Sequence, residues 1–184
     1  MSAIYTYLYY FPIPAWTTIL ILSWLLYLAY RLLGEAYDKK EIEKNRAIAI
    51  FLLIAYSMLL MYMTFLGRRS MGYVQSNYEI GWSYRRAFLA GERDLQEEIL
   101  LNILIFLPLG SLCVLARKHF RLIISVLYGC ALSCMIEYFQ LYLCRGTSEY
   151  DDIISNTLGT IIGSVITLIV VEGLKLWRKN RQRS

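Results

Sequence analysis

The stretch ILLNILIFLPLGSLCVLA, residues 99–116, carries no charged side chain, and its one carboxamide, Asn102, stands near its start. Wound as a helix at about 1.5 Å per residue it reaches roughly 27 Å, close to the ~30 Å hydrocarbon thickness of a bilayer. Lipid offers no water to backbone amides and carbonyls, so a run of this kind has to close its hydrogen bonds within itself, as a helix. Working outward from it, similar runs occupy residues 47–66 and 15–33 on one side and 122–143 and 153–174 on the other. The first follows Pro12 and Pro14 and meets no charge before Arg31. None alternates as a barrel strand would. The expectation is an all-α integral membrane protein, a bundle of about five transmembrane helices with an outer interfacial segment.

Composition agrees. Of 184 residues, 58% are hydrophobic and 18% charged, against about 45–50% and about 25% in soluble domains. The length fits one domain over residues 1–184. A net charge of +5 raises nucleic acid as a partner, but the basic residues gather at the ends of the apolar runs. The membrane accounts for them better, and no nucleic acid is expected. The segment Ile4–Phe11 is dense in tyrosine, and such rings favour the headgroup zone. Residues 1–14 hold no Lys or Arg, so a secretory leader is not expected.

Cysteines Cys113, Cys130, Cys134 and Cys144 lie in or at the end of apolar runs and read as small packing residues. His119, the one histidine, sits in a basic loop and reads as solvated. No zinc-ligand spacing, HExxH, GxSxG or P-loop is present, so neither a metal nor a cofactor is expected. Pro108 removes an amide and should kink the third span. A tolerated membrane proline and a functional hinge both remain open.

Lys and Arg counts in the connections give the orientation. Residues 31–46, 117–121 and the tail after Leu174 carry five, three and five; residues 67–98 and 144–152 carry five and one. The richer set belongs inside, which puts the amino terminus outside and the carboxyl terminus in the cytoplasm of a multi-pass plasma-membrane protein. The outer segment 67–98 is too long for a plain connector. An interfacial helix is expected in it from about Tyr84 onward.

The chemistry concentrates between Glu137 and Asn156. Glu137 and Gln140 are three apart and share a helix face, on a stripe read as running through Cys130 and Cys134. A carboxylate there should face the bundle interior and find a partner; a structural hydrogen bond between helices would serve equally well. Asp151 and Asp152 open the fifth span, where acids complement the helix dipole and cap amides. Arg145 is close enough in sequence to pair with either. Asp152, Asn156, Gly159 and Gly163 form one stripe, polar then small, which admits a close helix neighbour. The expected neighbour is the Glu137 face of the preceding span, with Asn102 completing the group. Arg68 and Arg69 end the second span on the same side, as ligands or as arginines snorkelling to headgroups. The candidate ligand-binding set is thus Arg68, Asn102, Glu137, Gln140, Arg145, Asp151, Asp152 and Asn156. Glu137 and Asp152 are the catalytic candidates, should there be catalysis. Mixed charges of this kind suit a zwitterionic or phosphate-bearing ligand.

Five segments carry a resemblance to a known family: Asn102–Gly110, Ser133–Gln140, Arg145–Thr147, Asp151–Ile154 and Asn156–Gly159, with Thr64–Arg68 and Trp82–Tyr84 upstream. In order and spacing, over roughly residues 50–170, they resemble the VanZ-like family, named for an accessory protein of glycopeptide resistance. Asn77–Gly81 departs from that family's usual segment. The resemblance implies a Gram-positive-type plasma-membrane protein linked to low-level resistance to teicoplanin-like lipoglycopeptides. It also places Asn102, Glu137, Gln140, Arg145, Asp152 and Asn156 at motif positions.

The leading expectation is a non-enzymatic module whose outer polar pocket binds an amphiphile: a membrane lipid, a lipid-linked cell-wall precursor or the lipoglycopeptide itself. One rival is an enzyme acting on a lipid-linked phosphate, with Asp151 and Asp152 holding a metal and Glu137 as acid or base. Another is a small lipid or proton-coupled transporter, which the lack of an inverted repeat disfavours. Self-association is left open.

Overall fold

The computed structural model describes residues 15–182; the aromatic run at 4–11 lies outside them. Helix α1 spans Ala15–Asp38, and α2 spans Lys44–Met61 and continues as a π-helical turn over Tyr62–Leu66. A short strand β1, Gln75–Asn77, precedes α3, Trp82–Leu89. Then come α4, Arg93–Ala116, α5, Arg121–Leu143, strand β2, Thr147–Glu149, and α6, Tyr150–Arg181. Five of these helices (all but α3) are long and apolar enough to cross a membrane.

The helices outrun the apolar stretches. α4 begins six residues before Ile99, with Asp94 in its first turn, and α6 ends in Arg178, Lys179 and Arg181. Charges of those signs suit those helix ends, so the helices persist past the hydrocarbon into polar surroundings. A short helix does form where one was expected from about Tyr84: α3 begins at Trp82 and ends at Leu89, shortly before α4 starts at Arg93. α3 buries Ser83 and Ala87 and leaves Phe88 and Leu89 exposed.

Phe106, Leu109, Leu60, Phe65, Leu132 and Ile136 make an apolar core between α2, α4 and α5. The seam between α4 and α6 is built differently. A Cβ on Gly159 would strike the main chain at Ile103, and one on Gly163 would strike it at Leu107. With no side chain in the way, the two backbones lie in direct contact. Ser111 Oγ then donates to Gly163 O and Ser164 Oγ to Gly110 O, each at 3.2 Å. In lipid, where apolar burial drives little, close approach and cross-helix hydrogen bonds hold helices together. The sequence expectation needs correcting here, since the glycine stripe faces α4 and not its hairpin neighbour α5.

Two connections meet at one end of the bundle. β1 and β2 pair in parallel, Gln75 with Thr147 through Asn77 with Glu149. Met71 N also donates to Cys144 O at 2.7 Å. The 67–81 segment is thereby fastened to the α5–α6 turn, which nothing in the periodicity announces.

Candidate functional site

Asp151, 2% exposed, opens α6 but caps another helix. Its Oδ1 accepts the Gly81 N–H at 2.6 Å. Its Oδ2 accepts the Ser83 N–H and the Ser83 hydroxyl, both at 2.8 Å. These are the first free donors of α3, so the cap works across the fold. Both carboxylate oxygens thus accept hydrogen bonds from α3 and its cap, so Asp151 is turned toward that helix. Among the described residues, no three His, Cys, Asp or Glu side chains gather closely enough to hold a metal ion.

Glu137 lies one helix away, 5% exposed. Its Oε2 accepts the Glu149 N–H at 2.8 Å, so the end of β2 is pinned to α5. The Gln140 amide stands 3.2 Å and 3.3 Å from the two Glu137 oxygens when its nitrogen faces them. Turned the other way, that nitrogen would reach Thr64 O at 3.3 Å. A donor to a carboxylate is worth about twice one to a neutral carbonyl, so the first arrangement is adopted. Asn102 Nδ2 donates to Asp152 Oδ1 at 2.8 Å, joining α4 to α6. Asn156 Nδ2 donates to Ser133 Oγ at 2.8 Å, joining α6 to α5. Asn156 Oδ1 has no partner although it is buried. A Cβ at Gly146 would fall 2.8 Å from the Gln140 amide and 3.3 Å from Arg68 Nη1. Arg68 therefore leans over the α5–α6 turn toward the cluster.

This constellation covers the segments that carried the family resemblance, and a family model described as VanZ/LLP1 matches residues 51–171. The chain belongs to the VanZ/LLP1 family. No curated protein and no solved structure matches the chain. The family match takes in α2 from Phe51 through most of α6 and omits α1.

In this VanZ/LLP1 chain Arg145 departs from expectation. It pairs with neither Asp151 nor Asp152. Its Nη1 donates to Leu66 O at 3.3 Å and Phe65 O at 3.5 Å, the carbonyls that the π-helical turn leaves at the end of α2. Burial works against its charge, and those main-chain dipoles offset part of that cost. Without Arg145 facing inward, the cluster is more acidic than its sequence suggests. Glu98, Glu149 and Asp151 add negative charge around Asp152, and Arg68 is the cation acting on it.

Ser83, Ser133 and Glu98 belong to the site and were not picked out from sequence. The first two stand in Trp82–Tyr84 and Ser133–Gln140, the stretches that carried the resemblance, so a signal existed. Glu98 had none. The stripe read through Cys130 and Cys134 is displaced: α5 buries Gly129, Ser133, Ile136, Glu137 and Gln140, while Cys134 is exposed.

Burial, with Glu98 and Asp151 close by, holds the Glu149 carboxyl above the ordinary carboxylate range. The folded state therefore holds this proton more tightly than the unfolded chain. No cost arises below the unfolded value, and a cost grows as pH rises through the folded one. Glu149→Gln is accordingly expected to raise the melting temperature at pH 7 and to leave it unchanged near pH 4. Because the side chain is half exposed, the gain stays below about 1 kcal/mol. An equal change at both pH values would show that charge is not the cause.

Proposed function

We propose that this VanZ-like membrane protein is a binding module, with the cluster around Glu137 and Asp152 taking the polar head of an amphiphile at the outer membrane boundary. The observation that supports this is the gathering of hydrogen-bonding side chains from α4, α5 and α6 at the membrane end where the family segments converge. Glu137 and Asn156 are buried there among their partners, and among the described residues no activated nucleophile stands beside them. The surplus of carboxylates over Arg68 favours a head that presents an amine, with Arg68 left for an anionic group on the same ligand. A zwitterionic lipid, a lipid-linked cell-wall precursor and a lipoglycopeptide all meet that description. The orientation assumed, amino terminus outside and carboxyl terminus cytoplasmic, follows from the excess of Lys and Arg at the opposite end. The link to teicoplanin-type resistance comes from the family and is part of the same proposal.

The test is teicoplanin and vancomycin susceptibility of a sensitive Gram-positive host carrying wild type, Glu137→Ala or Asp152→Asn at matched membrane levels. Wild type is expected to protect against teicoplanin, and both variants are expected to fall to the level of the empty host. Protection by both variants equal to wild type would make the cluster purely structural. No protection by wild type would detach this chain from the resistance phenotype.

A further inference from the structure

At the end of the bundle away from the cluster, Arg46 and Arg117 stand where α2 begins and α4 ends. Arg46 Nε donates to Ala116 O at 2.9 Å, which fixes its guanidinium beside the α4 terminus. Two open hollows flank this pair, and both arginines line both of them. One, of about 280 Å³, is walled by Leu52, Leu112 and Leu115. The other, of about 270 Å³, is walled by Leu53, Ile124 and Tyr128.

The neighbouring cations are already matched. Lys118 pairs with Glu43 at 2.9 Å and Arg121 with Glu172 at 3.5 Å. Arg46 and Arg117 lie within ion-pair distance of no carboxylate among the described residues. Helix α5 also begins at this end, with Phe120 at its cap and no acidic residue in its first turn, so its positive dipole end adds to the basic surplus, whereas α2 has Glu43 at its cap. Glu43 and Lys118 also line the first hollow, and Glu43 acts on Arg46 from there, but its ion pair is with Lys118. Two guanidiniums between hollows walled largely by apolar side chains form the complement of a particular shape: one anionic head with a hydrocarbon chain on either side. A basic pocket between transmembrane helices is a recognised form of anionic-lipid site, and arginine grips phosphate oxygens in a fork.

We propose that this saddle binds a two-chain anionic phospholipid from the leaflet facing the basic end, with its phosphate on Arg46 and Arg117 and one acyl chain in each hollow. The proposal concerns the opposite boundary from the cluster and stands whether or not that cluster binds a ligand.

The full-length protein in a neutral detergent is titrated with phosphatidylglycerol, phosphatidylcholine or inorganic phosphate, following the melting temperature and the lipid retained in native mass spectra. Phosphatidylglycerol is expected to stabilise and to be retained; the other two are not. Arg117→Gln, at an exposed position, is expected to raise the phosphatidylglycerol concentration needed by roughly fivefold, the weight of about one basic residue at an anionic surface. Leu52→Trp, on a half-exposed wall, should reduce retention while leaving the melt of the lipid-free protein unchanged. Equal responses to the two lipids would overturn the proposal, as would a response to phosphate matching that to phosphatidylglycerol. So would wild-type retention in both variants.

Discussion

Gly163→Ala is expected to leave little folded protein in the membrane, while Gly173→Ala, ten residues along the same helix, is tolerated without loss. The same methyl group is added in both. At Gly173 it meets no atom within 4 Å, whereas at Gly163 it lands on the carbonyl of Leu107 in the main chain of α4. A flexible side chain could swing aside, but a helix backbone cannot, so α4 and α6 must separate. Overpacking that neighbours can absorb costs about 1–3 kcal/mol; here the seam's hydrogen bonds, Ser111 to Gly163 O and Ser164 to Gly110 O, stretch as well. The combined cost takes a large part of the ~5–15 kcal/mol that holds a typical fold together. Yield of monodisperse protein and its melting temperature would check this. A Gly163→Ala protein that melts with wild type would mean that the close seam is not what holds α6 in place.

Asp151→Ala carries the second large effect, and a local one. It leaves the buried Ser83 amide, the part-buried Gly81 amide and the Ser83 hydroxyl without an acceptor. Stranding donors that a carboxylate had served costs about 3–5 kcal/mol, concentrated on α3 and the segment leading into it. Amide exchange should become fast over residues 81–85 while α4 and α6 keep their protection. Asp151→Asn, which keeps one acceptor oxygen, should fall between. Unchanged exchange in the alanine variant would show that α3 is held by its packing on α4 and α6 and that the cap is incidental.

These two effects differ in how much of their basis could be read from the sequence. The spans follow from apolar length, and the small residues at 159 and 163 follow from their spacing, because both depend on the chain's own period. Partners do not. Gly159 could face either neighbour, and only the packing of α4 against α6 decides it. Asp151 at the start of a helix reads as that helix's own cap, yet it reaches α3, whose Gly81 and Ser83 lie far away in sequence. Arg145 stands near two aspartates in the chain and turns instead to the carbonyls of Phe65 and Leu66 at the end of the π-helical turn. Asn102 with Asp152 was the exception: both were placed near one boundary by span length alone, and the structure brings them to 2.8 Å.

The pairing of β1 with β2 has a consequence for how the molecule comes into being. Gln75 leaves the ribosome before α4 and α5 exist, and its partner Thr147 leaves it after both. Parallel strands cannot join through a tight turn, and here the crossover is α3 and two membrane spans. Pairings so distant in sequence close late, after the chain between them has been ordered. Asp151 meets the amides of Gly81 and Ser83 across the same long separation, whereas Glu137 reaches the amide of Glu149 within the α5–α6 turn. A chain stalled one helix short would therefore have every span up to α5 but lack Asp151, Asp152 and Asn156, the share of the cluster that α6 supplies.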